Sequence, residues 1–240
     1  DAGDDNVWQR SGEVEHLLVA GAQWVVRSGL LPIRAVHIRS KLTHVTQEQL
    51  RYVAEHELKG SFLTVDITET RAAFEKLPWV RKVSVRRSWP DRLEIDVEEH
   101  QAAARWAENG LVNTYGEWFD AAFSQPLPLL AGPKGSEKEM LAAYLAFKQV
   151  LQPVGVLPEE LKLSARRAWQ VKLDNSVVLE LGRQDIGLRV GRFAASWRDQ
   201  LSRLPYKIEY VDLRYPNGFA VRMPDYKPGK GTPAMPRPAA

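Results

Sequence analysis

Five histidines, a run of carboxylates and three spaced glycines are the residues of this chain whose types could carry chemistry. His16, His37, His44, His56 and His100 are the candidates for metal ligation or proton transfer. No pair of them has the spacing by which one helix face presents two imidazoles to an ion, and His37 reads as a strand residue. Asp91, Glu94, Asp96, Glu98 and Glu99 form an acidic cluster of the kind used in acid/base work. In a strand the even-numbered ones share a face, opposite Lys82, Arg86 and their neighbours. They therefore read as a solvated sheet face paired across strands. Gly182, Gly187 and Gly191 lack the lysine-serine pair of a phosphate-cradling loop. There is no nucleophile elbow and no zinc helix motif. Cysteine is absent, which excludes thiol catalysis, thiolate metal sites and disulfides and leaves the compartment open. The sequence gives no positive support for an enzyme and implies no cofactor, no metal and no small-molecule substrate.

A second cluster is basic and aromatic. Arg81, Lys82, Arg86, Arg87 and Arg92 stand among Trp79 and Trp89, a mixture that binds single-stranded nucleic acid by phosphate contact and stacking. The competing reading is a hairpin whose tryptophans serve the core or the turn. It is preferred, because carboxylates follow at once on the next strand. The net charge of +3 over 240 residues forces neither a nucleic-acid nor a membrane partner.

The element that holds the basic cluster and all of the acidic one but Glu99 is Leu77 to Glu98. Val83 and Val85 alternate with Lys82, Ser84 and Arg86; Leu93, Ile95 and Val97 alternate with Glu94, Asp96 and Glu98. Period-two alternation predicts two half-buried strands, and Ser88-Trp89-Pro90-Asp91 predicts the turn between them. The apolar face needs a cover, which lies upstream. Pro32 to Ser40 alternates as a strand. Thr46-Gln47-Glu48-Gln49 is a capping box that starts a helix, and Asp66-Ile67-Thr68-Glu69 starts a second, running past Leu77 to Pro78. The order strand, helix, helix, strand, strand describes a compact unit with two helices on one face of a small sheet.

From His100 onward strands dominate. Glu108-Asn109-Gly110, Tyr115-Gly116-Glu117 and Asp174-Asn175 are turn signals. Pro126 to Leu130 is expected as a short edge strand, since prolines are tolerated there. Ser136-Glu137-Lys138-Glu139 reads as a third capping box, opening an amphipathic helix to Leu151. Arg189 to Leu204 reads as a second helix. Ile208 to Arg214 and Phe219 to Met223 form a last hairpin around Pro216-Asn217-Gly218. The fold class is α+β, a β-α-α-β-β unit followed by a mixed, mostly antiparallel β domain with two flanking helices.

The ends differ from the middle. Leu17 to Val26 is apolar but shorter than the roughly 20 residues of a spanning helix. It reads either as a soluble or amphipathic helix or as a weak or altered membrane anchor. The chain opens on Asp1 rather than methionine, as a fragment or a processed form does. Residues 224–240 are proline-rich with almost nothing apolar, and a disordered tail is expected.

Specific strings carry a resemblance. Phe62-Leu63-Thr64-Val65-Asp66 precedes the second helix, and Leu77-Pro78-Trp79-Val80, Val83-Ser84-Val85-Arg86-Arg87 and Trp89-Pro90-Asp91 follow it. Ala104-Arg105-Trp106, Ala165-Arg166-Arg167-Ala168-Trp169, Leu181-Gly182-Arg183 and Tyr210-Val211-Asp212-Leu213-Arg214-Tyr215 complete the series. In order and spacing, from about Pro32 to Met223, the chain resembles the FtsQ family of bacterial cell-division proteins. The resemblance implies residues 1–31 as a juxtamembrane or anchor-like segment, 32–100 as a POTRA domain, 101–223 as the family's β domain and 224–240 as the tail. It implies a non-enzymatic divisome scaffold acting in septum formation in the cell cycle. Such proteins are single-pass in the cell inner membrane with the folded bulk in the periplasm. They bind FtsB, paired with FtsL, by strand addition at the last strand, and other divisome proteins through the POTRA domain. Carried over by motif, the partner-binding residues are Arg166, Arg214, Tyr215, Asn217, Gly218 and Phe219. The alternatives weighed are a POTRA-type chaperone or secretion partner and, further off, a basic nucleic-acid module.

The residues themselves point the same way. Phe219 to Met223 is the last strand before a proline, and a terminal strand is often a sheet edge with unpaired backbone groups. An extended segment can add to such an edge. Arg and Tyr are enriched at interface hot spots, although Tyr215 reads equally as a core aromatic.

Overall fold

The computed structural model of the chain describes residues 32–227. The expected anchor-like segment 1–31 and the expected tail beyond residue 227 lie outside the described residues. Two units emerge, residues 32–102 with Phe119–Ala122 and residues 103–118 with 123–227.

In the first unit the elements follow the expected order: β1 (Ala35–Ile38), α1 (Gln47–Glu57), α2 (Ile67–Phe74), β2 (Val80–Ser88) and β3 (Arg92–Glu99). The sheet runs β1-β3-β2, with β1 parallel and β2 antiparallel to β3. Val83, Val85, Leu93, Ile95 and Val97 are buried, so the alternation sets the face as expected. Leu50 and Val53 of α1 and Ala73 and Phe74 of α2 bury with them. On the outer face the register sets Lys82 against Glu98 and Arg86 against Glu94.

Both helix starts behave as read. Thr46 and Gln49 close a reciprocal capping box, and the Asp66 carboxylate accepts from the N–H groups of Thr68 and Glu69 at 2.7 and 3.0 Å. The stop of α2 differs. The helix ends at Phe74, and the N–H groups of Lys76 and Leu77 donate three residues back, to Ala73 and Phe74. Proline disfavours the helical region in the residue before it, so the chain tightens and leaves the helix ahead of Pro78.

The second unit carries a nine-stranded sheet ordered β12-β11-β10-β9-β8-β7-β4-β5-β6. Its strands are β4 (Ala102–Trp106), β5 (Leu111–Asn113), β6 (Trp118–Phe119), β7 (Leu129–Ala131), β8 (Pro158–Leu163), β9 (Trp169–Leu173), β10 (Val178–Gly182), β11 (Tyr210–Asp212) and β12 (Ala220–Arg222). Pairing is mixed. β8–β9, β9–β10 and β11–β12 are antiparallel, whereas β4–β7, β7–β8 and β10–β11 are parallel. The helices α3 (Glu137–Leu151) and α4 (Ile186–Asp199) are the crossovers that two of the parallel pairs need. They share one core with the sheet, where Met140, Phe147, Val190 and Phe193 meet Leu161, Val171, Leu179 and Val211.

Two expectations are corrected here. The segment after Pro126 is no edge strand: β7 sits between β4 and β8. Its two prolines stop at Pro128, so Leu129–Ala131 keeps every ladder donor and is free to lie inside the sheet. Ser136 precedes α3 but does not cap it with its side chain. Its backbone lies at ψ 5° rather than extended, and its hydroxyl donates to the Pro133 carbonyl at 2.6 Å instead. Among the described residues no helix is long and apolar enough to cross a membrane.

Candidate functional site

The basic and acidic clusters are occupied by structure. Arg81 meets Glu98 at 2.8 Å, and Arg86 lies 3.3 Å from Asp96 and 3.9 Å from Glu94. Arg87 is turned onto the carbonyls of Phe62 and Val65, at 2.9 and 2.5 Å. Glu99 accepts three successive backbone N–H groups, from Thr43, His44 and Val45, at 2.8, 2.9 and 2.6 Å. The basic stretch and the acidic cluster therefore neutralise each other or hold loops. His44 stacks on Trp79 with ring centres 3.8 Å apart, and the His56 ring bonds the Tyr52 carbonyl.

The arrangement differs at the end of the nine-stranded sheet. β11 runs parallel to β10 with Asp212 beside Glu180, then turns through Leu213–Gly218 into β12. β12 pairs with β11 through Tyr210–Arg222, Val211–Val221 and Asp212–Ala220. Among the described residues it has no second neighbour and ends the sheet. The Glu209 N–H donates to the Arg222 carbonyl at 3.0 Å, so Arg222 faces β11. In an antiparallel strand the next residue faces the opposite way, which leaves the N–H and C=O of Val221 pointing outward. Phe219, Val221 and Met223 pack their side chains on the core, while Ala220 and Arg222 are exposed.

Five of the six sequence-predicted partner residues lie together in this turn and strand. Tyr215 is 55% exposed, so it is no core aromatic. Gly218 has open space where a side chain would project. Arg214 forms a two-pronged pair with Asp212, Nε to Oδ1 at 2.9 Å and Nη2 to Oδ2 at 2.7 Å. Asp212 is buried, and the Arg214 hydrogen bonds hold its carboxyl below the usual carboxylate range against the opposing effect of burial. The pairing also holds Arg214 further toward its charged form. Beside them, burial first and then Glu180 and Asp212 push the Tyr210 phenol up.

The sixth, Arg166, is exposed in the turn between β8 and β9. Trp169 at the start of β9 lies opposite Gly182, and a Cβ on Gly182 would meet the Arg214 side chain at 3.1 Å. The Arg166 turn and the Arg214 loop therefore share one end of the sheet, two strand spacings or about 10 Å apart. Gly182 has φ +71°, and the same Cβ would also crowd Arg189. Glycine there allows two arginines to lie across the backbone.

Two positioning residues escaped the sequence reading. Arg192 on α4 donates Nη1 to the Pro216 carbonyl at 2.6 Å, and Nη2 to those of Leu213 and Tyr215, each at 3.2 Å. Arg189, one turn earlier, donates to the Leu181 carbonyl. Helix α4 thus fixes the β11–β12 turn through three carbonyl oxygens. The only sequence signal is the i,i+3 spacing of two arginines beside an apolar helix face. A hollow of about 550 Å³ opens next to the edge, lined by Gln170, Val178, Lys207, Glu209, Tyr210 and Arg222.

The arrangement suits recognition of an extended peptide. It offers outward backbone groups on a short edge strand, an exposed aromatic, an oriented guanidinium and a second cation at the same end. Comparison with known proteins gives two family matches. The FtsQ-type POTRA domain matches residues 31–100, and the C-terminal domain of cell division protein FtsQ/DivIB matches residues 104–214. The chain is 44% identical to the cell division protein FtsQ of Nitrosospira multiformis over 205 residues, 83% of this chain and 87% of that one. It is 40% identical to FtsQ of Burkholderia pseudomallei, covering 86% and 85% of the two chains. The FtsQ of Neisseria gonorrhoeae is 34% identical, over 89% of each.

Proposed function

The chain belongs to the FtsQ family of cell division proteins, and from that premise we propose that it is a non-enzymatic divisome scaffold that captures FtsB, together with FtsL, on the open edge of its C-terminal β domain. In this reading residues 32–100 form the POTRA domain, which docks other division proteins, and residues 101–223 form the partner-binding β domain. Residues 1–31 tether both to the inner membrane in a single pass, with the folded bulk in the periplasm, and residues 224–240 are a tail.

The observation that carries the reading is the position of β12 at the end of the sheet with the Val221 backbone turned outward. A segment of FtsB adding there gains backbone hydrogen bonds. Tyr215, Gly218 and Phe219 border the added strand, and Arg214 and Arg166 supply positive charge for a carboxylate on the partner. Asn217 lies exposed in the same turn. The test is a calorimetric titration of the full chain with an FtsB peptide. Tyr215→Ala is expected to weaken binding roughly tenfold or more. Gly218→Glu, at a position with room for a side chain, should weaken it while leaving the thermal midpoint unchanged. Unaltered affinity in both variants removes the assignment.

A further inference from the structure

The end of the first unit that carries the β2–β3 turn exposes two large apolar side chains. Trp89, in the turn, is 81% exposed, the highest value among the large apolar side chains described. Leu63 is 58% exposed. Its loop is held beside the hairpin by Arg87, whose guanidinium takes the carbonyls of Phe62 and Val65 two residues short of Trp89. The Arg34 N–H donates to the Asp91 carbonyl at 2.8 Å, so the chain runs into β1 at the same end. The side chains of Arg34 and Arg92 are 75% and 54% exposed and flank Asp91 at 3.6 and 3.9 Å. Lys59 is exposed in the Leu63 loop. Two projecting apolar side chains thus stand among the cations Arg34, Arg92 and Lys59, with Asp91 between the two arginines and the exposed Glu57 and Asp66 flanking the Leu63 loop.

We propose that this end docks on an anionic phospholipid bilayer, with Trp89 and Leu63 entering the interfacial layer and Arg34, Arg92 and Lys59 on the headgroup phosphates. An indole has its best environment at headgroup depth, where its ring is apolar-solvated and its N–H finds an acceptor. Each cation near an anionic surface is worth about a fivefold gain in partitioning, falling off within a Debye length. Two isolated protruding side chains suit a deformable lipid layer better than a complementary protein surface, which calls for a contiguous patch. The covalent geometry selects the same end. Eight peptide units separate Val26, the last residue of the apolar run, from Arg34, and they span at most about 28 Å. An anchor in that run therefore holds this end of the unit close to the bilayer. The inference rests on the membrane-tethered reading given above, and the experiment separates the two.

The full chain is mixed with vesicles of phosphatidylethanolamine and phosphatidylglycerol carrying brominated acyl chains, and with phosphatidylcholine vesicles as the neutral control. Because the chain has eight tryptophans, emission from Trp89 is isolated as the difference between the wild type and Trp89→Phe, whose folding is checked by circular dichroism. The expected result is a Trp89 component that shifts to the blue and is quenched by more than half on anionic vesicles. Arg34→Gln and Arg92→Gln each lower its apparent partitioning about fivefold, and added salt lowers it further. If the chain sediments with vesicles while the Trp89 component keeps its water-exposed emission, the docking tip is overturned and the tether stands. A protein surface is then the partner of the tip. If the chain does not sediment with vesicles at all, both readings fall.

Discussion

Asp212 and Arg214 illustrate how one side chain is oriented by its neighbour within the fold. The carboxylate is buried beneath the exposed guanidinium and fixes two of its donors, so an incoming acceptor meets a group whose rotamer is already set. The folded-state pKa of Asp212 lies below its unfolded value. The stabilisation is therefore complete above the unfolded pKa and is lost as pH falls through the folded one. Asp212→Asn should flatten the acid limb of the β-domain stability curve below about pH 4, as urea midpoints across pH would show. It should also loosen Arg214 and weaken FtsB binding at neutral pH. Arg192 acts one step further back. Removing it leaves three carbonyls without their donor, so Arg192→Ala is expected to cost about 2 kcal/mol in chemical denaturation and to lower FtsB affinity. Lysine should rescue little, because a point charge does not reproduce the planar fork. At this scale the sequence was half legible. Arg214, Tyr215 and Gly218 stood in a recognisable string, whereas Arg189 and Arg192 looked like ordinary helix residues. Their partners are carbonyls more than twenty residues away for Arg192 and on the preceding strand for Arg189, and nothing local records such a contact.

Among the elements, the short-range signals translated best. Alternation fixed the inner faces of β2 and β3, and the caps at Thr46 and Asp66 formed as written, because each depends on residues within three or four positions. Signals that depend on tertiary neighbours translated worst. The prolines before Leu129 suggested an edge, yet pairing on both sides placed β7 in the interior. Ser136 had the right spacing for a capping box, but its backbone conformation sent the hydroxyl elsewhere. The edge position of β12 was the exception: its place as the last strand before a proline pointed to the end of the sheet. Its outward backbone makes a direct prediction. Val221→Pro removes the outward donor and leaves the ladder to β11 intact, so FtsB affinity should drop about tenfold in titration while the melting temperature changes by only a few degrees.

At the scale of the molecule, two separate hydrophobic clusters hold the two units. One holds Phe74, Val83 and Ile95; the other holds Met140, Leu179 and Phe193. Each can be damaged separately. Ile95→Ala should cost about 3 kcal/mol within the first unit, seen as faster amide exchange in β2 and β3, with protection in β9 to β11 unchanged. Loss of protection in both units together would show that the two fold as one cooperative block.

The brevity of β12 has a consequence of its own. An open edge that can take one added strand also risks templating stacks of identical molecules. Three residues give such a stack few bonds, Arg222 brings a repelling charge with each added copy, and Pro224 denies the ladder any extension. The same economy would oblige any peptide that adds there to find most of its grip outside the strand.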